Sequence, residues 1–83
     1  ACIVNTGANI DHDCILGDAV HISPGANLAG GVRVGELSWV GIGASVRQSI
    51  TIGTKSIVGA SACVVSDVGD NIVVRGVPAS EST

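Results

Sequence analysis

The sequence predicts an all-β fold, a parallel β-helix wound as a three-sided prism, and three observations carry that prediction. An aliphatic residue stands at every sixth position: Val4, Ile10, Leu16, Ile22, Leu28, Val34, Val40, Val46, Ile52, Val58 and Val64. Four places after each comes a residue that is small or β-branched, in the order Ala8, Cys14, Val20, Ala26, Val32, Ser38, Ala44, Ile50, Ser56, Ala62 and Val68. Third, a chain that is 46% hydrophobic holds one Trp, Trp39, and no Phe or Tyr. A period of six belongs neither to an α-helix nor to an ordinary amphipathic strand. Sustained without insertion, it marks a solenoid built of short flat sides. The aliphatic residue fills a narrow core, its follower must be small where two walls converge, and nothing bulky fits inside.

Three sides of six residues make a coil of 18, so residues 18 apart stack at about the 4.8 Å spacing of adjacent strands. Val4, Ile22, Val40 and Val58 then share a first face. Ile10, Leu28, Val46 and Val64 share a second, and Leu16, Val34 and Ile52 a third. The regular coils run over about 4–69, roughly 3.5–4 turns. Gly follows the aliphatic residue at 17, 35, 41, 53 and 59, where it is expected to give the corner a positive φ. The next column position is Asp70, so the repeat is expected to end there. Residues 70–79, with the run IVVRGVPA, read as a terminal strand and turn over the open end, and the tail SEST as polar and loose. No segment has helical periodicity, and 83 residues make a single domain, 1–83.

Composition excludes several partners. A formal charge of −3 with four Lys and Arg offers no footprint for nucleic acid or an anionic membrane. No targeting segment and no 18-residue apolar run is present, so no membrane insertion is expected. Cys2 and Cys14 occupy the small inward position and read as core thiols, which implies a reducing, cytoplasmic setting without disulfides. The repeat is under way within the first few residues and no Met leads it, so a fragment or one domain of a longer protein is expected. A thin prism with open ends buries little, so self-association along the outer faces is expected too.

Chemistry is offered chiefly by two outward histidines. His12 lies in DHDC between Asp11 and Asp13, and a neighbouring carboxylate raises the basicity of imidazole and holds one tautomer. The stacking rule (12 + 18 = 30) sets Gly30, within AGG, one coil from His12. A base beside a bare backbone N–H suits acyl transfer, one group taking a proton and the other holding an oxyanion. The competing interpretation is a pair of surface histidines without a task. Pro24, Ile42 and Ala60 form a second stacked column, apolar yet outward, which is either a subunit contact or a slot for a flexible arm. Trp39 stands one coil from His21 (21 + 18 = 39) and reads as a subunit contact or a platform for an adenine.

The blocks NTGANIDHDCILGD, HISPGANLAGGVRVGE, WVGIGASV, TIGTKSIVGASACV and GVPA resemble the left-handed β-helix of the hexapeptide-repeat sugar acetyltransferases. Within that group they are most similar to the sialic-acid O-acetyltransferase-like family, which includes N-acetyltransferases of nucleotide-linked amino sugars in bacterial glycan synthesis. The resemblance covers about 3–79. It implies the left hand of the winding, acetyl-CoA as co-substrate, a sugar amine or hydroxyl as acceptor, no metal, and a homotrimer with active sites between subunits.

Residue by residue, the resemblance implies His12 as catalytic base, Asp13 as its acidic neighbour, and Gly30 as the amide facing the thioester oxygen. It further implies His21 as a contact to acetyl-CoA, Ile42 and Ala60 as the lining of the pantetheine arm, and Asn5, with Asp11, near the base and acceptor. The family's GVPA motif continues with a basic residue where this chain has Ser80, leaving Lys55, Arg47 and Arg75 as the cations for the CoA phosphates. The N-terminal nucleotide-sugar-binding domain of the family is absent from this sequence. The alternative to an enzyme is a non-catalytic β-helix trimer scaffold, or a truncated or engineered fragment without acceptor binding. A β-helical carbonic anhydrase is excluded because it needs three zinc histidines and two are present in all.

Overall fold

Each aliphatic column residue closes a strand two residues long. In the computed structural model, which describes residues 2–81, these are β1 (Ile3–Val4), β2 (Asn9–Ile10), β3 (Ile15–Leu16), β4 (His21–Ile22), β5 (Asn27–Leu28), β6 (Arg33–Val34), β7 (Trp39–Val40), β8 (Ser45–Val46), β9 (Thr51–Ile52), β10 (Ile57–Val58) and β11 (Cys63–Val64). Two more follow, β12 (Val73–Arg75) and β13 (Ser80–Glu81). In each of β1–β11 the second residue points inward and the first outward, as the pleat requires.

The strands stack into three sheets. The first face is ordered β1-β4-β7-β10-β12-β13, the second β11-β8-β5-β2 and the third β3-β6-β9. The parallel registers are 18 apart, as in Ile10 with Leu28 and Val40 with Val58. This is a left-handed parallel β-helix. Its three faces are those the period predicts.

The core is the aliphatic column and its small followers. Val20, Ile22, Ala26, Val32, Val40, Ala44 and Val58 are fully buried. At the N-terminal end Val4 is 48% exposed, because no described coil lies above it. Cys2, expected as a core thiol, is exposed there for the same reason, while Cys14 is half-buried. Both thiols donate to a carbonyl of the next coil, Cys2 to Gly17 and Cys14 to Ala29.

Buried serines at the same position do likewise. Ser38 Oγ donates to the Gly53 carbonyl at 2.6 Å and accepts from Ser56 N at 3.0 Å. Ser38→Ala would strand both partners, so a loss of about 1–3 kcal/mol is expected, read as a lower urea midpoint at unchanged slope.

The corner glycines work differently from the expectation. Positive φ falls three places after the column residue, not one. Gly7, Gly25, Gly31 and Gly43 stand there, and so do Asp13, Ala19, Leu37, Ser49, Lys55 and Ser61. The Ser23-Pro24-Gly25-Ala26 corner shows why. Pro presets the second position of a type II turn, Gly25 takes φ +73° at the third, and Ala26 N donates to Ser23 O at 3.2 Å. Glycines 17, 35, 41 and 53 are instead demanded by crowding. A Cβ on Gly35 would lie 2.7 Å from the backbone of Gly53 in the next coil.

The column does not stop at Asp70. The side after β11 is two residues short, so Val68 takes the inward place beneath Ile52 and Val74 the place on Val58. Both are buried, at 7% and 6% exposure. Carboxylates fill the gap left in the ladder: Asp67 Oδ1 accepts from Thr51 N at 2.9 Å and Asp70 Oδ1 from Thr54 N at 2.7 Å. Beyond β12 the chain turns at Gly76 and returns as β13, antiparallel, with Arg75 opposite Ser80. Ser80 and Glu81, expected in a loose tail, are therefore strand; Ser82 and Thr83 lie outside the described residues. Ala79 packs against the core, with its N–H on the Cys63 carbonyl.

Candidate active site

The corner from β2 to β3 builds the first half of the site. Asp11 follows the buried-facing Ile10; its Oδ1 accepts the His12 backbone N–H at 2.9 Å and lies 3.0 Å from ring Nδ1 in an ion-pair contact. A neutral ring with its proton on Nδ1 donates to that carboxylate and presents Nε2 as the acceptor. The His12 side chain is 87% exposed. Gly30 sits one coil above. A Cβ placed on it would lie 3.8 Å from both Asp11 Oδ2 and the His12 carbonyl. An open groove of about 500 Å³ runs beside them, lined by Asn9, Asp11, Asn27, Ala29 and Ser45 among others. Asp13, matched to the acidic neighbour, occupies the left-handed corner position at φ +67°. The carboxylate touching the imidazole is that of Asp11.

The second half lies on the first face. His21 points outward from β4, and its Nε2 is 2.9 Å from Asn5 Nδ2. With the amide so placed, N–H donates to the ring nitrogen and the proton of His21 sits on Nδ1. The opposite side of the imidazole stacks on Trp39, with centroids 3.9 Å apart and planes 6° from parallel. Trp39 Nε1 donates to Ser23 Oγ at 2.9 Å, which locks the indole over the histidine. Asn5 thus contacts His21. The stacking of residues 21 and 39 follows from the period; the anchoring role of Ser23 does not, because nothing in the sequence sets it apart from other inward residues.

Ile42 and Ala60 stand exposed on the edge between the first and second faces, in line with Pro24. Gly43 N donates to Pro24 O and Ser61 N to Ile42 O, at 3.1 and 2.8 Å, which keeps this edge in register. His12 and Gly30 stand on the edge between the second and third faces. In a three-sided prism that edge is opposite the first face. The structure therefore brings His12, Asp11 and Gly30 together, and separately Asn5, His21 and Trp39, but it does not bring the two groups together within one chain. The Asn9–Asn27 ladder, joined at 2.9 Å, lies between them on the second face and was not singled out from sequence, although a pair of asparagines 18 apart was its signal.

A left-handed prism with six residues to a side and about four turns is consistent with the β-helix of the hexapeptide-repeat acetyltransferases. Among solved structures the chain is similar to PerB from Caulobacter crescentus in complex with CoA and GDP-perosamine, at 50% identity over 99% of this chain and a TM-score of 0.98. It is likewise similar to the acetyltransferase domain of PglB from Neisseria gonorrhoeae in complex with acetyl coenzyme A, at 51% identity over 98% and a TM-score of 0.94. WeeI from Acinetobacter baumannii matches at 30% identity over 98% with a TM-score of 0.94. The chain spans about two fifths of the length of each: 40% of PerB, 40% of PglB and 41% of WeeI. Comparisons with protein-family models and with curated protein sequences return no match. Among the described residues no helix is long and apolar enough to cross a membrane.

Proposed function

We propose that this chain is the catalytic β-helix of an acetyl-CoA-dependent N-acetyltransferase acting on a nucleotide-linked amino sugar in bacterial glycan synthesis. The observation that carries the reading is the Asp11–His12–Gly30 edge, on a chain half identical to a protein that holds CoA and a nucleotide amino sugar. His12 Nε2 takes a proton from the acceptor amine as its nitrogen attacks the thioester carbonyl. The new C–N bond forms, and the carbonyl oxygen becomes an oxyanion facing the N–H of Gly30. Collapse breaks the C–S bond, and the CoA thiolate leaves with the proton that His12 took up. Asp11 keeps Nδ1–H occupied, so that Nε2 is always the accepting nitrogen. Asp13 contributes negative charge beside the cation that forms. The setting is cytoplasmic, in keeping with three free cysteines.

Asp11→Ala removes the bond that orients His12. A fall in kcat of about tenfold to a hundredfold is expected, the equivalent of one charge-assisted hydrogen bond, with KM for acetyl-CoA unchanged.

The working unit in this reading is a homotrimer. The two half-sites lie on opposite sides of each prism, so a whole site needs the His12 edge of one copy and the first face of the next. Contact between two different surfaces is heterologous, and a rotation of a third of a turn closes it as a ring of three. The first face is suited to it, because Ile3, Trp39, Ile57 and Val73 form an exposed apolar ladder, each 40–55% accessible. The second face carries Asn9, Asn27, Ser45 and Cys63 instead.

Subunit mixing tests the arrangement. A His12→Ala chain and a His21→Ala chain, each inactive alone, are co-refolded in equal amounts. Random threefold assembly restores about a quarter of the sites, and with them about a quarter of the activity. Mixed samples no more active than their components would defeat the shared site, and calorimetry showing no acetyl-CoA binding by the trimer would favour a scaffold.

A further inference from the structure

We infer that Arg75, with Ser80 beside it, is the anion site that holds the phosphates of CoA, an inference that rests on the acetyltransferase reading above. By the period of 18, Arg75 falls in line with Ile57 on the first face. The two-residue shortening after β11 moves it. Val73 pairs with Ile57 and Val74 with Val58, so Arg75 follows the inward residue and stands over Gly59. A Cβ on Gly59 would lie 3.0 Å from the Arg75 Cβ, so the bare glycine leaves the arginine stem its place. Arg75 thereby stands at the C-terminal end of this edge, above Gly59 and beside Ala60 of the outward column Pro24, Ile42 and Ala60.

The length of that column fits a phosphopantetheine arm. From Pro24 to the level of Arg75 is three coils, about 14 Å at the strand spacing. About thirteen bonds separate the thioester sulfur from the first phosphorus, the count in roughly four extended residues, or about 15 Å. A sulfur held beside His21 and Pro24 delivers its phosphates to Arg75. Ser80 is the register partner of Arg75 in the terminal hairpin, so its hydroxyl lies on the same outward side. Glu81 pairs with Val74, and strand alternation turns it to the other side, away from the guanidinium. An arginine fork next to a hydroxyl is a good phosphate receptor. The remaining cations stand elsewhere: Lys55 at the corner between third and first faces, Arg47 on the His12 edge, and Arg33 on the third face.

Steady-state kinetics of Arg75→Ala with two thioesters, acetyl-CoA and the phosphate-free S-acetylpantetheine, tests this in the intact enzyme. KM for acetyl-CoA is expected to rise about tenfold with kcat unchanged, while KM for S-acetylpantetheine stays within about twofold of the parent. Arg75→Lys is expected to recover part of the loss, and Arg33→Ala, on the third face, to behave as the parent. Equal losses with both thioesters, or an unchanged KM for acetyl-CoA, would overturn the assignment while leaving the acetyltransferase reading intact. A folded parent enzyme that turns over neither thioester would overturn both.

Discussion

Replacing His12 by alanine is expected to lower acetyl transfer by about 10²–10⁴-fold, the range for loss of a positioned general base. The attacking amine carries two N–H protons and the amide product one, so some group must remove a proton as the bond forms. His12 is exposed, and its Nδ1 is engaged by Asp11 at 3.0 Å, which leaves Nε2 as the accepting atom. Truncation removes that atom without touching the core, so the melting temperature and the affinity for CoA are expected to stay at parent values. The fall should therefore lie in kcat, measured with saturating acetyl-CoA and amino-sugar acceptor. Turnover equal to the parent enzyme would remove His12 from the mechanism. Raising the pH should recover part of the lost rate, because hydroxide can then take the proton that His12 would have removed.

A large effect on stability is expected at Gly41. A Cβ there would lie 2.7 Å from Ala60 N and Val58 O and 2.9 Å from Gly59 C, all backbone of the next coil. Relief would require β7 and β10 to part, yet Trp39 N–Ser56 O and Gly41 N–Val58 O hold them at 2.9 and 2.8 Å. Overpacking of this kind costs about 1–3 kcal/mol, and in a domain of this size that is a loss of about 4–24 °C in melting temperature. Gly43 is the control. Its φ of +68° strains any side chain, but the nearest atom to an added Cβ is Ser61 Oγ at 3.7 Å. Ser61 itself occupies the same place one coil on, at φ +60°. Gly43→Ala should cost only about 1 kcal/mol. Thermal unfolding of the two variants in parallel decides the matter, and a Gly41→Ala chain as stable as Gly43→Ala would refute the crowding argument.

The period of six was enough to determine the three faces, the register of 18 and the pairing of His12 with Gly30 and of His21 with Trp39. It has that power because the same constraint, one aliphatic residue per narrow side, is written eleven times in the chain. Three features were decided only by the folded backbone. Two carboxylates flank His12 symmetrically in sequence, and it is the corner that sets Asp11 against the imidazole while Asp13 takes the left-handed position. One side loses two residues after β11, and a single irregularity has no repeat to announce it; it carries the column on through Val68 and Val74 and moves Arg75 to the outer edge. Finally, stacking places residues along the axis but says nothing of distance across it. The prism itself therefore decides that His12 and His21 face opposite ways.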